Sequence, residues 1–164
     1  MKEGTDNIAI VMSVPINESN EIVKMETYSA RRTLLIFAGL DFIFQMLNGI
    51  IFLTDKDNSN NLVGIISFVC AFLILVGAYG INKYDNCITE FYRFFLIFHI
   101  ISIFISLFFT RNLVYYIFSI FIIILNIWIL KILRKFTKNL ETLNTSDLDD
   151  LKSGWVPSTV VFYY

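Results

Sequence analysis

The chain has 164 residues, of which 56% are hydrophobic and 16% are charged, and its formal net charge is -1. A soluble domain of this length carries about a quarter charged residues, so this composition, with a mean hydropathy of +0.66, indicates a membrane protein. A net charge so close to zero gives no electrostatic reason to expect nucleic acid or an acidic substrate as a partner.

The first part of the chain, residues 1–30, mixes polar and apolar side chains with no sustained period. A segment of this kind cannot bury much apolar surface. We therefore expect a disordered cytosolic tail over 1–30, which Arg31 and Arg32 close against the membrane.

Four apolar runs follow within a membrane domain over 31–134, at 33–53, 62–82, 91–109 and 113–133. Each run is close to the ~20 residues that a helix needs to cross a ~30 Å hydrocarbon layer. Four such runs are too long and too few for a β-barrel. Because the connectors are short, successive helices should lie side by side and run antiparallel. The sequence predicts an all-α fold, a four-helix transmembrane bundle with up-down-up-down topology.

Basic residues set the expected orientation of this bundle. They flank the start of the first run, the loop between the second and third, and the end of the fourth: Lys24, Arg31, Arg32, Lys83, Arg93, Lys131, Arg134, Lys135 and Lys138. The other side has only Lys56 and Arg111. By the positive-inside rule both termini are cytosolic. We expect an integral, multi-pass protein of the plasma membrane or an endomembrane.

The C-terminal segment, 135–164, is predicted to be a cytosolic tail with one short helix. Acidic residues suit a first helical turn, which favours a start at Ser146. Gly154 and Pro157 would end that helix.

Polar residues inside the apolar runs are the first candidate site. Asp41, Gln45 and Asn48 share one face of the first predicted helix. An ionisable group within a membrane span is costly and usually faces protein or water. Similar faces occur on the third and fourth runs, and together they form what we term the polar seam: Asp41, Gln45, Asn48, His99, Ser102, Ser106, Ser119 and Asn126.

Three members of the polar seam are expected at a common depth. Asp41, His99 and Asn126 each lie roughly 9–13 Å from the cytosolic end of their helices, at ~1.5 Å per residue. One interpretation is structural: these groups hydrogen-bond to one another and fix which helices are neighbours. The other is a proton- or cation-handling site, with Asp41 as the carboxylate and His99 as its titrating partner.

Small residues form a face of the second run and predict a close helix contact. This face consists of Gly64, Ser67, Ala71, Gly77 and Ala78. Small side chains let helix backbones approach each other in lipid, where the hydrophobic driving force between helices is absent. The neighbouring helices of the same chain are the expected partners, and a homo-oligomer contact is the alternative.

The stretch from Leu75 to Phe98 resembles the hairpin between the second and third helices of tetraspanins. Gly77, Ala78 and Gly80 match its small-residue end, and Asp85, Asn86 and Cys87 match its polar turn. The large outer loop of that family is reduced here to 110–112. The resemblance implies a tetraspan bundle with a membrane-organising role. It also makes Cys87, which would lie beside the cytosolic face, a candidate for lipidation.

The function expected from these features is non-enzymatic: a membrane-organising or partner-binding protein whose partners are membrane lipids and other membrane proteins. The only histidine, His99, lies inside a predicted span, and the sequence shows no phosphate-binding or nucleophile motif. We therefore expect no cofactor and no metal site. The alternative is a small transporter or channel subunit that uses Asp41 and His99.

Overall fold

The computed structural model describes residues 16–54, 61–109 and 113–157, and all regular secondary structure in these ranges is helical. The helices are α1 (Ile16–Thr54), α2 (Asn61–Asn82), α3 (Asn86–Phe109), α4 (Leu113–Thr142) and α5 (Thr145–Ser153). For these residues the prediction of an all-α fold is confirmed.

Within the described ranges, three helical stretches are long and apolar enough to cross a membrane: Asn20–Ile50, Gly64–Asn82 and Asn86–Ile105. These lengths and compositions are consistent with an integral membrane protein. The fourth predicted span, 113–133, lies within α4, and its membrane crossing stays a prediction.

Each long helix packs mainly on two others. α1 has its most extensive contact with α2, α2 continues to α3, α3 to α4, and α4 returns to α1. α1 and α3 have few direct contacts, because α2 and α4 lie between them. Paired positions such as Arg31 with Asn82 at one end and Gly49 with Phe68 towards the other show that α1 and α2 run antiparallel.

The N-terminal half of α1 corrects the prediction of a disordered tail over 1–30. Residues 16–30 are helical, whereas 1–15 lie outside the described residues. Lys24, Thr27 and Leu34 are all buried, at a spacing that places them on one helix face. Two of these buried positions carry polar side chains, so the stretch shows no apolar period in the sequence.

The core of the molecule lies at one end, where the N-terminal half of α1, the α2–α3 turn, the C-terminal part of α4 and α5 meet. We call this the core end. Its fully buried side chains include Leu34, Ile81, Leu133, Phe136 and Leu151. Along the rest of the helices the outward faces carry large exposed apolar side chains.

α5 corresponds to the short helix predicted for the C-terminal segment. Asn144 caps its start, with the Asn144 side chain accepting a 2.7 Å hydrogen bond from the Asp147 backbone N–H. Gly154 ends it at a φ of 100°, a left-handed conformation that glycine adopts without strain. Leu151 is 1% exposed and joins α5 to the core.

Candidate functional site

Two clusters of polar and aromatic residues hold the core end together. The first, the Lys24 cluster, is Lys24, Tyr28, Asp147, Asp150 and Trp155. Lys24 Nζ lies 2.6 Å from Asp150 Oδ2 and 3.3 Å from Asp147 Oδ1. The same ammonium lies 4.8 Å from the centre of the Trp155 ring, which packs edge-on against Tyr28. The cluster joins α1 to α5 and to Trp155, which follows the end of α5.

Burial makes the Lys24 cluster more than a surface ion pair. The Lys24 side chain is only 8% exposed, whereas Asp150 is 54% exposed. A buried ammonium without a partner is costly, so the carboxylates must stay beside Lys24 if α5 is docked. A second ion pair, Lys135 Nζ to Glu26 Oε2 at 3.0 Å, joins α4 to the same segment of α1.

The second cluster surrounds the α2–α3 turn and is termed the Tyr84 cluster: Arg31, Asn82, Tyr84 and Phe136. Arg31 Nη1 donates to the Tyr84 hydroxyl at 3.2 Å, and Arg31 Nη2 donates to Asn82 Oδ1 at 2.5 Å. The Tyr84 ring stacks on Phe136 with 6.1 Å between centroids. One side chain thus links α1, the turn and α4. Burial raises the pKa of the Tyr84 hydroxyl, which Arg31 opposes by stabilising the phenolate.

Tyr84 adopts a conformation that few non-glycine residues tolerate. Its φ is 52°, and the backbone N–H groups of Tyr84 and Asp85 bond back to Ile81 and Gly80 in a Schellman arrangement. Left-handed backbone costs a residue with a Cβ about 1–2 kcal/mol. Asp85 then caps α3, because its carboxylate accepts from the Ile88 N–H at 3.0 Å.

The structure distributes the predicted polar seam over different environments. Gln45, Ser119 and Asn126 are buried, and Asp41, Asn48 and His99 are partly buried. Ser102 is exposed, which differs from its predicted inward position. The side chain of Ser106 lies outside the described residues.

The predicted pairing of Asp41 with His99 is not found. Asp41 is hydrogen-bonded to Gln45 on its own helix and lies within electrostatic reach of Cys70 and Tyr92. His99 stacks on Phe95 of its own helix at 6.0 Å. In the described part of the chain no hydrogen bond or ion pair joins Asp41 to His99. The physical reason is that α1 and α3 both pack on α2 and α4 rather than on each other.

The small residues of α2 lie at helix contacts. Gly64 faces α1, where a Cβ atom would come 2.8 Å from the Leu53 side chain. Ser67 and Ala71 are buried on the same helix, and Ala78 packs against the core. Gly77 faces α3, where a Cβ atom would overlap the Tyr92 ring.

The two cysteines lie in different settings. Both are free thiols, with Cys87 exposed in the first turn of α3 and Cys70 partly buried within α2. The exposure of Cys87 is compatible with lipidation, which stays a prediction.

Sequence reasoning missed the two clusters as sites. From the sequence alone, Lys24 and Arg31 are only basic residues that indicate orientation. Asp147 and Asp150 are only acidic residues that favour the first turn of a short helix. Lys24 pairs with aspartates more than a hundred positions away in the chain, and Arg31 bonds to residues 51 and 53 positions away. No local pattern encodes such contacts. An aromatic residue directly after Gly154 was the one available signal, since hydrophobic contacts often accompany this kind of helix end.

A scan against protein-family models and searches of curated proteins and of solved structures found no match to this chain. The resemblance to tetraspanins therefore stays a prediction that depends on the hairpin residues alone.

Proposed function

We propose that the chain is a four-span membrane protein with both termini in the cytosol, and that it organises or binds other membrane proteins without catalysing a reaction. The observation that carries this proposal is the contrast between the two parts of the molecule. The long helices expose large apolar side chains along their outward faces, while the buried core and most basic residues lie at the core end. Lipid would cover the exposed apolar faces of the long helices, and the core end would face the cytosol.

The helix contacts support the four-span arrangement. α4 packs on both α1 and α3, and Phe37 of α1 lies edge-on against Trp128 of α4 at 5.2 Å. Residues 113–130 contain no charged side chain. A helix of this composition, packed on two apolar neighbours, is expected to share their membrane depth.

The outward face of α3 is the surface that best fits a protein partner. Within Asn86–Ile105, only 17% of the apolar 18-residue stretch is buried, less than in the corresponding stretch of either of the other candidate spans. Phe91, Phe94 and Phe98 line a shallow apolar groove on this face. Aromatic side chains supply large contact areas with few rotamers, which suits a helix-binding surface.

Photo-crosslinking tests partner binding. A photoreactive phenylalanine analogue replaces Phe98 on α3 in one variant and Phe72, an equally apolar exposed residue of α2, in the matched control. We expect discrete protein adducts from position 98 in native membranes and lipid adducts from position 72. Lipid adducts alone at both positions would contradict a partner surface on α3.

A second candidate function is proton or cation handling at Asp41. This carboxylate lies partly buried among apolar helices and near Tyr92, and such intramembrane acids commonly mark ion pathways. In the described residues no hydrogen bond or ion pair joins Asp41 to His99, so this second proposal depends on Asp41 alone. In reconstituted vesicles, Asp41→Asn should abolish pH-dependent flux without changing insertion. A wild-type protein that shows no flux would rule this function out.

A further inference from the structure

The outward face of α4 changes character where the helix reaches the core end. Phe121, Ile124 and Ile127 are exposed on this face, and they are followed by Lys131, Arg134 and Lys138, all exposed. Positions separated by three or four residues lie one above the other on a helix. The apolar stripe, Phe121, Ile124 and Ile127, is therefore continuous with a basic stripe, Lys131, Arg134 and Lys138.

These three cations differ from most of the other basic residues of the core end. Lys24, Arg93 and Lys135 each pair with a carboxylate, and Arg31 bonds to Tyr84 and Asn82. Across the described ranges no acidic side chain lies within ion-pair distance of Lys131, Arg134 or Lys138. Their charge is left for a ligand from outside the chain.

Trp128 marks the depth at which this change occurs. It is 45% exposed and is held by its contact with Phe37, one turn before Lys131. Tryptophan is enriched at membrane–water interfaces, and the long stems of lysine and arginine extend from there towards the headgroups. The basic stripe, which spans about 10 Å at ~1.5 Å per residue, would lie at headgroup level.

We propose that Lys131, Arg134 and Lys138 bind the headgroup of an anionic phospholipid, whose acyl chains lie along the apolar stripe of α4. Charge complementarity and continuity between the two stripes favour this ligand over a zwitterionic lipid. The inference rests on the proposed function, because it requires α4 to cross the membrane with the core end at the cytosolic leaflet.

Quenching of Trp128 fluorescence tests the proposal directly. The full chain carrying Trp155→Phe, which leaves Trp128 as its only tryptophan, is reconstituted into vesicles that contain brominated phosphatidylglycerol or brominated phosphatidylcholine. Since a single basic residue near an anionic surface changes binding about fivefold, and the proposed site has three, we expect the brominated anionic lipid to quench at a mole fraction lower by about fivefold or more. The preference should weaken in high salt.

Two triple variants isolate the site. Lys131→Gln, Arg134→Gln and Lys138→Gln together should reduce the preference below twofold. The matched control, Arg32→Gln, Lys83→Gln and Lys152→Gln, removes the same charge from exposed residues elsewhere at the core end and should retain the preference.

Three outcomes would overturn the proposal. One is equal quenching by the two lipids in the unsubstituted chain, and another is an equal loss of preference in both triple variants; both leave the membrane arrangement intact. The third is quenching by neither lipid, which would remove the membrane position of α4 and the proposed function with it. If Trp155→Phe prevents reconstitution, native mass spectrometry of the unmodified chain, counting retained phosphatidylglycerol against phosphatidylcholine, gives the same comparison.

Discussion

Tyr84 shows how a single residue can join three parts of this chain. Its backbone closes α2 in a left-handed conformation, its hydroxyl accepts from Arg31, and its ring stacks on Phe136. Tyr84 as a whole is 3% exposed. The conformational cost at this position is therefore offset by burial and by contacts with α1 and α4.

Substitutions at Tyr84 should separate these contributions. Tyr84→Phe loses the Arg31 hydrogen bond and should lower the free energy of unfolding by about 0.5–1.5 kcal/mol. Tyr84→Gly relieves the backbone strain but loses the buried ring, so the free energy of unfolding should fall by roughly 2–4 kcal/mol. Unfolding in mixed detergent micelles measures both, with the exposed Tyr79→Phe as the control. A Tyr84→Gly protein as stable as the wild type would mean that the relieved backbone strain fully offsets the lost contacts.

Gly77 and Gly39 offer a matched pair of alanine substitutions in membrane helices. A Cβ atom at Gly77 would overlap the Tyr92 ring, and Tyr92 is itself buried, whereas a Cβ atom at Gly39 meets nothing within 4 Å. Gly77→Ala should therefore destabilise the protein by about 1–3 kcal/mol. Gly39→Ala should be neutral or slightly stabilising, because alanine favours helix. Similar unfolding curves for the two variants would argue against close packing of α2 on α3.

At the scale of elements, α5 is held by few interactions. It has well-formed caps, but a helix this short is not stable in isolation. Its attachment depends on Leu151 in the core and on the two aspartates beside Lys24. Docking and helix formation should therefore be coupled.

Removing the two carboxylates should release α5. The pair Asp147→Asn and Asp150→Asn leaves the buried Lys24 ammonium without a counter-charge. Because the ion pairs are only partly buried, we expect about tenfold faster amide hydrogen exchange in α5, equivalent to ~1.4 kcal/mol. Asp149→Asn is the control and should leave exchange unchanged, because Asp149 is exposed and forms no ion pair with the described part of α1. Unaltered exchange in the double variant would show that Leu151 and Trp155 suffice for docking.

At the scale of the whole molecule, asymmetry is the main feature. Polar contacts between distant parts of the chain concentrate at the core end, while the remaining length of the helices exposes apolar side chains. This is the arrangement expected if lipid replaces protein as the solvent of the outward faces.

Sidedness can be tested with glycosylation. A sequon within an insertion at 55–60 should be glycosylated, because that loop is predicted to face away from the cytosol. The natural sequons at Asn17 and Asn144 should stay unmodified. Modification at Asn144 with none in the inserted loop would invert the topology.

The sequence by itself determined the helical class and the approximate limits of the apolar helices, because run length and composition decide them in lipid. It also indicated α5, since caps such as Gly154 act over a few residues. Only the tertiary structure decided that the stretch from Ile16 is helical, because its buried face includes polar side chains. Lys24 pairs with aspartates on α5, more than a hundred positions away, and the Thr27 hydroxyl donates to the Val23 carbonyl of the preceding turn. It also decided that Asp41 bonds to Gln45 rather than to His99. That outcome depends on which helices are neighbours, and a polar face on a single helix carries no information about its neighbour.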